Sequence, residues 1–82
     1  MTAVHPADEL EARVSALAEQ LARAAPLALR GVLDAVVHGA EAALPVGLEF
    51  ETQAFALCFA TEDMREGTAA FLARRKPEFH GR

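Results

Sequence analysis

Thr61-Glu62-Asp63-Met64-Arg65-Glu66-Gly67-Thr68-Ala69-Ala70-Phe71-Leu72-Ala73-Arg74-Arg75-Lys76-Pro77 carries a full set of helix start, stripe and stop signals. Thr61 is a good N-cap, and Glu62 and Asp63 put carboxylates at the positive end of the helix dipole. Met64, Thr68, Phe71 and Leu72 form one apolar stripe. Arg74, Arg75 and Lys76 read as the last turn, where bases complement the carbonyl end, and Pro77 stops the helix. Gly67 lies inside it at a cost of about 1 kcal/mol relative to Ala. Such a glycine marks a close approach by another backbone or a ligand.

Upstream, the same reading repeats. Pro45 can open a helix whose lines are Leu48, Thr52, Phe55, Phe59 and, on another side, Phe50, Ala54, Leu57. Its polar strip is only Glu49, Glu51 and Gln53, so this helix has to be covered on two sides. Self-association or a missing partner would supply the cover. Pro26 opens an earlier helix with the stripe Leu29, Val32, Leu33, Val36, Val37, leaving near Gly39. Leu10, Val14, Leu17 and Leu21 stripe a first helix over roughly 7–24, with Asp8, Glu9 and Glu11 near its start. No alternating strand pattern exists, and the chain has no Ile, Tyr or Trp. The fold class expected is all-α, with four short helices.

Composition narrows the function. Eighty-two residues allow one small domain, expected to span 1–82, and 52% are apolar. A chain this short has little core to spare for a deep pocket. The net charge is −4, with the bases gathered toward the C-terminus. An acidic body argues against nucleic acid as a partner. No apolar run is long enough for a membrane span. Met1-Thr2-Ala3-Val4-His5-Pro6 lacks a signal peptide's basic and apolar regions, and the lone Cys58 suits a reducing compartment, so a cytoplasmic location is expected.

Most candidate chemistry has a plainer explanation. His5, His38 and His80 match no metal-ligand spacing, so no metal site is expected. Cys58, between Leu57 and Phe59, reads as a buried structural thiol. Glu62 and Glu66 share a face, but a helix start already explains an acid at Glu62. Glu49 and Glu51 point to different faces. There is no phosphate loop and no nucleophile motif. The basic run is the exception. Phe71 and Arg74, three apart, offer a ring beside a guanidinium, a pairing that suits a flat heterocycle carrying phosphates.

The run from Phe59 to Arg82 resembles the C-terminus of the enoyl-CoA hydratase/isomerase (crotonase) family, whose ending has the core T-x-D-x-x-E-G-x-x-A-F-x-x-[KR]-R-x-P-x-F. Upstream pieces agree in order: Gly47-Leu48-Glu49-Phe50-Glu51, Ala25-Pro26-Leu27-Ala28-Leu29 and Val4-His5-Pro6-Ala7-Asp8-Glu9-Leu10. The resemblance covers essentially the whole chain. It implies the helical trimerisation region of the crotonase fold without its N-terminal spiral core.

That core carries the family's two catalytic glutamates and the backbone oxyanion hole that stabilises the enolate. None of those motifs lies in these 82 residues. The resemblance therefore implies a segment of an enoyl-CoA hydratase, the enzyme that converts 2-enoyl-CoA to 3-hydroxyacyl-CoA in fatty-acid β-oxidation. The segment by itself is expected to be inactive. It further implies contact with coenzyme A, as substrate thioester and not as cofactor, through Phe55, Phe71 and Arg74. Partners implied are the acyl-CoA of a neighbouring subunit and further copies in a trimer or hexamer, or a full-length relative. Family members often have Lys at the position of Arg74, which exchanges a point charge for a planar fork. Where the family would have Val-Thr-Ala-Val-x-Pro, this sequence has Met1, as a valine codon read as a start would give, so the chain is expected to be a fragment, from a misplaced start, a frameshifted gene or a deliberate cut. The alternative is a free-standing helical interaction module without catalysis.

Overall fold

The computed structural model describes residues 3–82. Met1 and Thr2, and with them the reading of Met1 as a misread valine, lie outside the described residues. Four helices follow in order, α1 (Ala7–Ala22), α2 (Pro26–Ala40), α3 (Leu44–Cys58) and α4 (Glu62–Ala73), with no strand among the described residues. The all-α expectation holds. Prolines set two of the starts: Pro26 is the first residue of α2, and Pro45 the second of α3. At these positions the missing N–H is no loss and the fixed φ is already helical. Thr61 caps α4 as expected, its hydroxyl accepting from the Met64 N–H at 3.1 Å.

The one extensive helix–helix contact is α2 against α3, an antiparallel pair joined by residues 41–43. It is built from small residues. A Cβ placed on Gly31 would sit 3.7 Å from the Ala54 Cβ, and one on Gly47 would lie 3.2 Å from the Gly39 Cα. Ala28, Ala35 and Cys58 are half-buried along the same seam. The large residues of both stripes stand outside this seam: Val32, Leu33, Val36 and Val37 of α2 are exposed, and so are Leu48, Phe55, Leu57 and Phe59 of α3, the helix whose apolar surface calls for cover from outside. α2 ends at Ala40, so the exit expected near Gly39 holds, and Gly39 is also the place where the two backbones touch. Small side chains allow that approach, and the large ones are left pointing away from the seam on both helices.

Of the α4 stripe, Met64 is half-buried, whereas Thr68, Phe71 and Leu72 are exposed. The covered face of the helix is Asp63, Glu66, Gly67 and Ala70, while Phe71 and Leu72 stand in solvent. The cover is the chain's own tail. After Ala73 the backbone reverses at Arg74, which is left-handed at φ 53, and residues 75–82 run back along α4. The Arg75 N–H donates to the Ala70 carbonyl and the Arg74 N–H to that of Phe71, closing a Schellman turn. Arg74, Arg75 and Lys76 are therefore outside the helix, not its last turn. Phe79 lays its ring on Gly67, with a Cβ there only 3.3 Å from the ring edge. The close approach expected at Gly67 is thus made by the tail.

The whole is open. The radius of gyration is 15.7 Å, against about 12 Å for a compact chain of this length. The accessible surface is 7006 Å², where a compact monomer of this mass would show about 4,800 Å². Among the described residues only Asp63 and Ala70 are buried, at 3% and 1% exposure.

Candidate functional site

The three residues expected to meet coenzyme A fall on two surfaces. Phe71 is in the last turn of α4 and 82% exposed, the barest large side chain of the helix. Arg74 follows it at the chain reversal, exposed and without an ion pair among the described residues. Because Arg74 has left the helix, its direction is set by the left-handed turn and not by the helical spacing to Phe71. Phe55 lies elsewhere. It borders an open apolar groove of about 830 Å³ between α2 and α3, with Val32, Leu48 and Thr52. Its ring meets Phe59 edge-on at 5.2 Å, and no ring contact among the described residues joins it to Phe71.

Of the basic run, Arg75 is already engaged. Its guanidinium forks onto Glu66, at 2.5 Å to Oε1 and 3.1 Å to Oε2. The Glu78 N–H adds a third bond to the same carboxylate at 3.1 Å. These donors, Arg75 first, hold the Glu66 pKa down at about 2, and the carboxylate in turn raises that of Arg75. Arg74 and Lys76 remain as the positive groups at this end.

The carboxylates of α4 are all occupied. Asp63 accepts from the His80 and Gly81 amides, each at 2.8 Å, while its own N–H donates to the Arg82 carbonyl at 2.8 Å. Glu62 pairs with Arg82 at 2.9 Å. The Glu62–Glu66 pair, which shares a face, is thus spent on tail contacts and leaves no free acid/base couple. Among the described residues no three His, Cys, Asp or Glu side chains gather as metal ligands would. His38 meets the Phe50 ring at a tilt of 48°, centroids 5.4 Å apart, and Cys58 is half-buried, its thiol donating to the Ala54 carbonyl at 3.5 Å. That thiol is less enclosed than the sequence suggested, because the α2–α3 seam is open at its edge. No helix among the described residues is long and apolar enough to cross a membrane.

Asp63 and Phe79 both lie in the matched C-terminal motif, which assigns neither of them a part in holding the tail. An acid in a first turn is explained by the dipole alone, which hides a second use. The available signal was spacing: Asp63, Gly67 and Ala70 lie on one face, and that face is polar and small, as a surface covered by backbone has to be.

Comparisons with known proteins cover the full chain. The family model described as enoyl-CoA hydratase/isomerase matches residues 1–82. The 2,3-dehydroadipyl-CoA hydratase of Escherichia coli K12 is 44% identical over 79 residues, which are 96% of this chain and 31% of that protein. The crotonyl-CoA hydratase of Syntrophomonas wolfei is 36% identical over 72 residues, 88% of this chain and 28% of that one. The crystal structure of an enoyl-CoA hydratase from Bacillus anthracis superposes with a TM-score of 0.90 at 34% identity, over 96% of this chain and 31% of that chain. The chain thus spans under a third of the length of these relatives.

Proposed function

The chain belongs to the enoyl-CoA hydratase/isomerase family, and from that premise we propose that residues 1–82 act as the assembly and coenzyme A-contacting domain of an enoyl-CoA hydratase. The observation that carries this reading is the surface left open. The excess over a compact monomer is about 2,200 Å², the size of an obligate subunit interface. Much of it is the outward-facing Val, Leu and Phe of α2 and α3. Further copies, as a trimer or hexamer, or a full-length relative would cover it.

At the other end, Phe71 offers a bare ring for the adenine and Arg74 a free guanidinium for a phosphate of a neighbouring subunit's acyl-CoA. Phe55 would contact the ligand from the α2–α3 groove, on the second surface. Hydration of the 2-enoyl thioester needs an acid/base pair and oxyanion donors. Glu62, Asp63 and Glu66 are all engaged by the tail, which supports a pair supplied from outside this segment. The compartment that fits is the cytoplasm, where bacterial relatives of this kind would meet their thioesters.

Titrating the isotopically labelled 82-residue chain with coenzyme A and following amide shifts tests the reading. Shifts at Phe71 and Arg74, weakened by Phe71→Ala, are expected, and the chain should sediment as an oligomer and show no turnover of crotonyl-CoA. A monomer without such shifts overturns the proposal, and turnover by the chain alone overturns its assignment of the chemistry elsewhere. The alternative, an interaction module without catalysis, shares the exposed α2–α3 faces. It predicts association with no response to coenzyme A.

A further inference from the structure

We propose that Asp63 is a positioning residue for this contact: by pinning the tail it holds Arg74 in the left-handed turn that aims its guanidinium at the ligand phosphates. The inference rests on the reading of Phe71 and Arg74 as coenzyme A contacts.

Two independent observations lead to it. The first is Arg74 itself. A left-handed residue closing a helix is usually glycine, because a Cβ is disfavoured there. Arg74 is the one non-glycine residue with positive φ among the described residues. A strained conformation of this kind persists only when its surroundings over-determine it.

The second observation is the set of contacts that do so. From Arg74 the tail is tied down in succession by the Glu66 fork on Arg75, the Glu66 bond from the Glu78 N–H, the Phe79 ring on Gly67 and the two amides on Asp63. Gly81 closes the series against Pro26, where a Cβ would lie 3.5 Å from the proline ring, so the tail also bridges α4 to the start of α2. Asp63 is the deepest of these anchors. It is one of the two buried residues among those described, and both of its carboxylate oxygens are used. Releasing it frees the distal half of the tail, and the reversal at Arg74 loses the contacts that balance its strain.

The expected size follows from the turn. An unconstrained L-residue occupies the left-handed region roughly a tenth of the time, so the apparent dissociation constant for coenzyme A rises about tenfold.

The test is a coenzyme A titration of the labelled chain in the wild type, Asp63→Asn, Arg74→Gln and the double variant, with amide exchange and circular dichroism on each. Asp63→Asn should speed exchange of the His80 and Gly81 amides and weaken coenzyme A about tenfold, leaving helicity and the α2–α3 amide shifts in place. The double variant should bind no more weakly than Arg74→Gln alone, because Asp63 acts through Arg74. Additive losses would mean a general structural effect and overturn the proposal. Unchanged binding with a freed tail, or a tail that stays protected, would do the same. If Asp63→Asn fails to fold, Glu66→Gln unties the tail at a different anchor and carries the same expectations. A wild-type chain that ignores coenzyme A refutes the underlying reading, a result distinct from binding that needs Arg74 but is indifferent to Asp63.

Discussion

Replacing Gly47 by alanine should weaken the α2–α3 pair, whereas the same replacement at Gly39 should not, although the two glycines face each other. The added Cβ at Gly47 meets only backbone: the Gly39 Cα at 3.2 Å and the Gly39 carbonyl oxygen at 3.3 Å. Neither atom can swing aside, so the helices have to separate by a few tenths of an ångström. Overpacking of this kind costs about 1–3 kcal/mol. Alanine returns up to about 1 kcal/mol of helix propensity, which leaves Gly47→Ala neutral at best and about 3 kcal/mol destabilising at worst. At Gly39 the Cβ is 3.7 Å from the Gly47 Cα, an ordinary contact. The propensity gain then stands nearly alone, at up to about 1 kcal/mol. Thermal melts by circular dichroism at one fixed chain concentration check the pair, with Gly39→Ala expected to melt higher than Gly47→Ala and Gly47→Ala no higher than the wild type. Equal shifts for the two variants would refute the backbone contact as the reason these helices pair.

Three further outcomes follow from the same geometry. Glu66 has its pKa lowered from 4.5 to about 2 by Arg75 and the Glu78 amide. A depressed carboxylate stabilises the fold fully above its unfolded value and stops doing so as pH falls through its folded one. Protection of the Glu78 amide should therefore be flat from neutral pH down to about 5 and decay between about 4.5 and 2; decay centred above pH 5 would contradict it. Arg74→Gly should steady the end of α4 by about 0.5–1 kcal/mol, since relief of the left-handed strain exceeds the added freedom of the unfolded chain. The same variant should lose coenzyme A shifts, and slower exchange at Arg75 combined with unchanged binding would detach the turn from the site. α1 leaves its stripe of Leu10, Val14, Leu17 and Leu21 about half exposed, and a helix of 16 residues is marginal alone in water. Its helicity should rise with chain concentration, and a concentration-independent signal would mean that nothing covers it on association.

The helices were legible because their signals are local. Pro26, Pro45 and Thr61 act within one turn of where they stand, and the structure places all three as helix starts. The buried faces were not legible, because burial depends on what lies opposite. The apolar stripes say which residues need cover, not which of them pack within the chain, and the seam of α2 and α3 is made of Gly31, Gly39, Gly47 and Ala54. Glycine and alanine score as weak core formers one residue at a time. Their value appears only when two backbones come within contact of each other, a pairwise property that no single stripe contains.

The site divides along the same line. Phe71 and Arg74 lie in the C-terminal motif and are both exposed at the end of α4, whereas Phe55, which lies outside that motif and comes from the family resemblance alone, belongs to the α2–α3 groove. The left-handed turn could not be read at all, since arginine is an unexpected residue there and the helix pattern runs smoothly through it. What holds that turn is spread over Asp63, Glu66 and Gly67 on one side and residues 75–81 on the other. Each of these residues has a sufficient local explanation: a dipole acid, an i,i+4 partner, a helix-weakening glycine. Only the folded-back tail makes them one device. The stripe on α4 was therefore right about which side chains need a partner and wrong about where the tail lies: the tail takes the polar face through hydrogen bonds, and Phe71 stays bare for a ligand or a neighbouring subunit to cover.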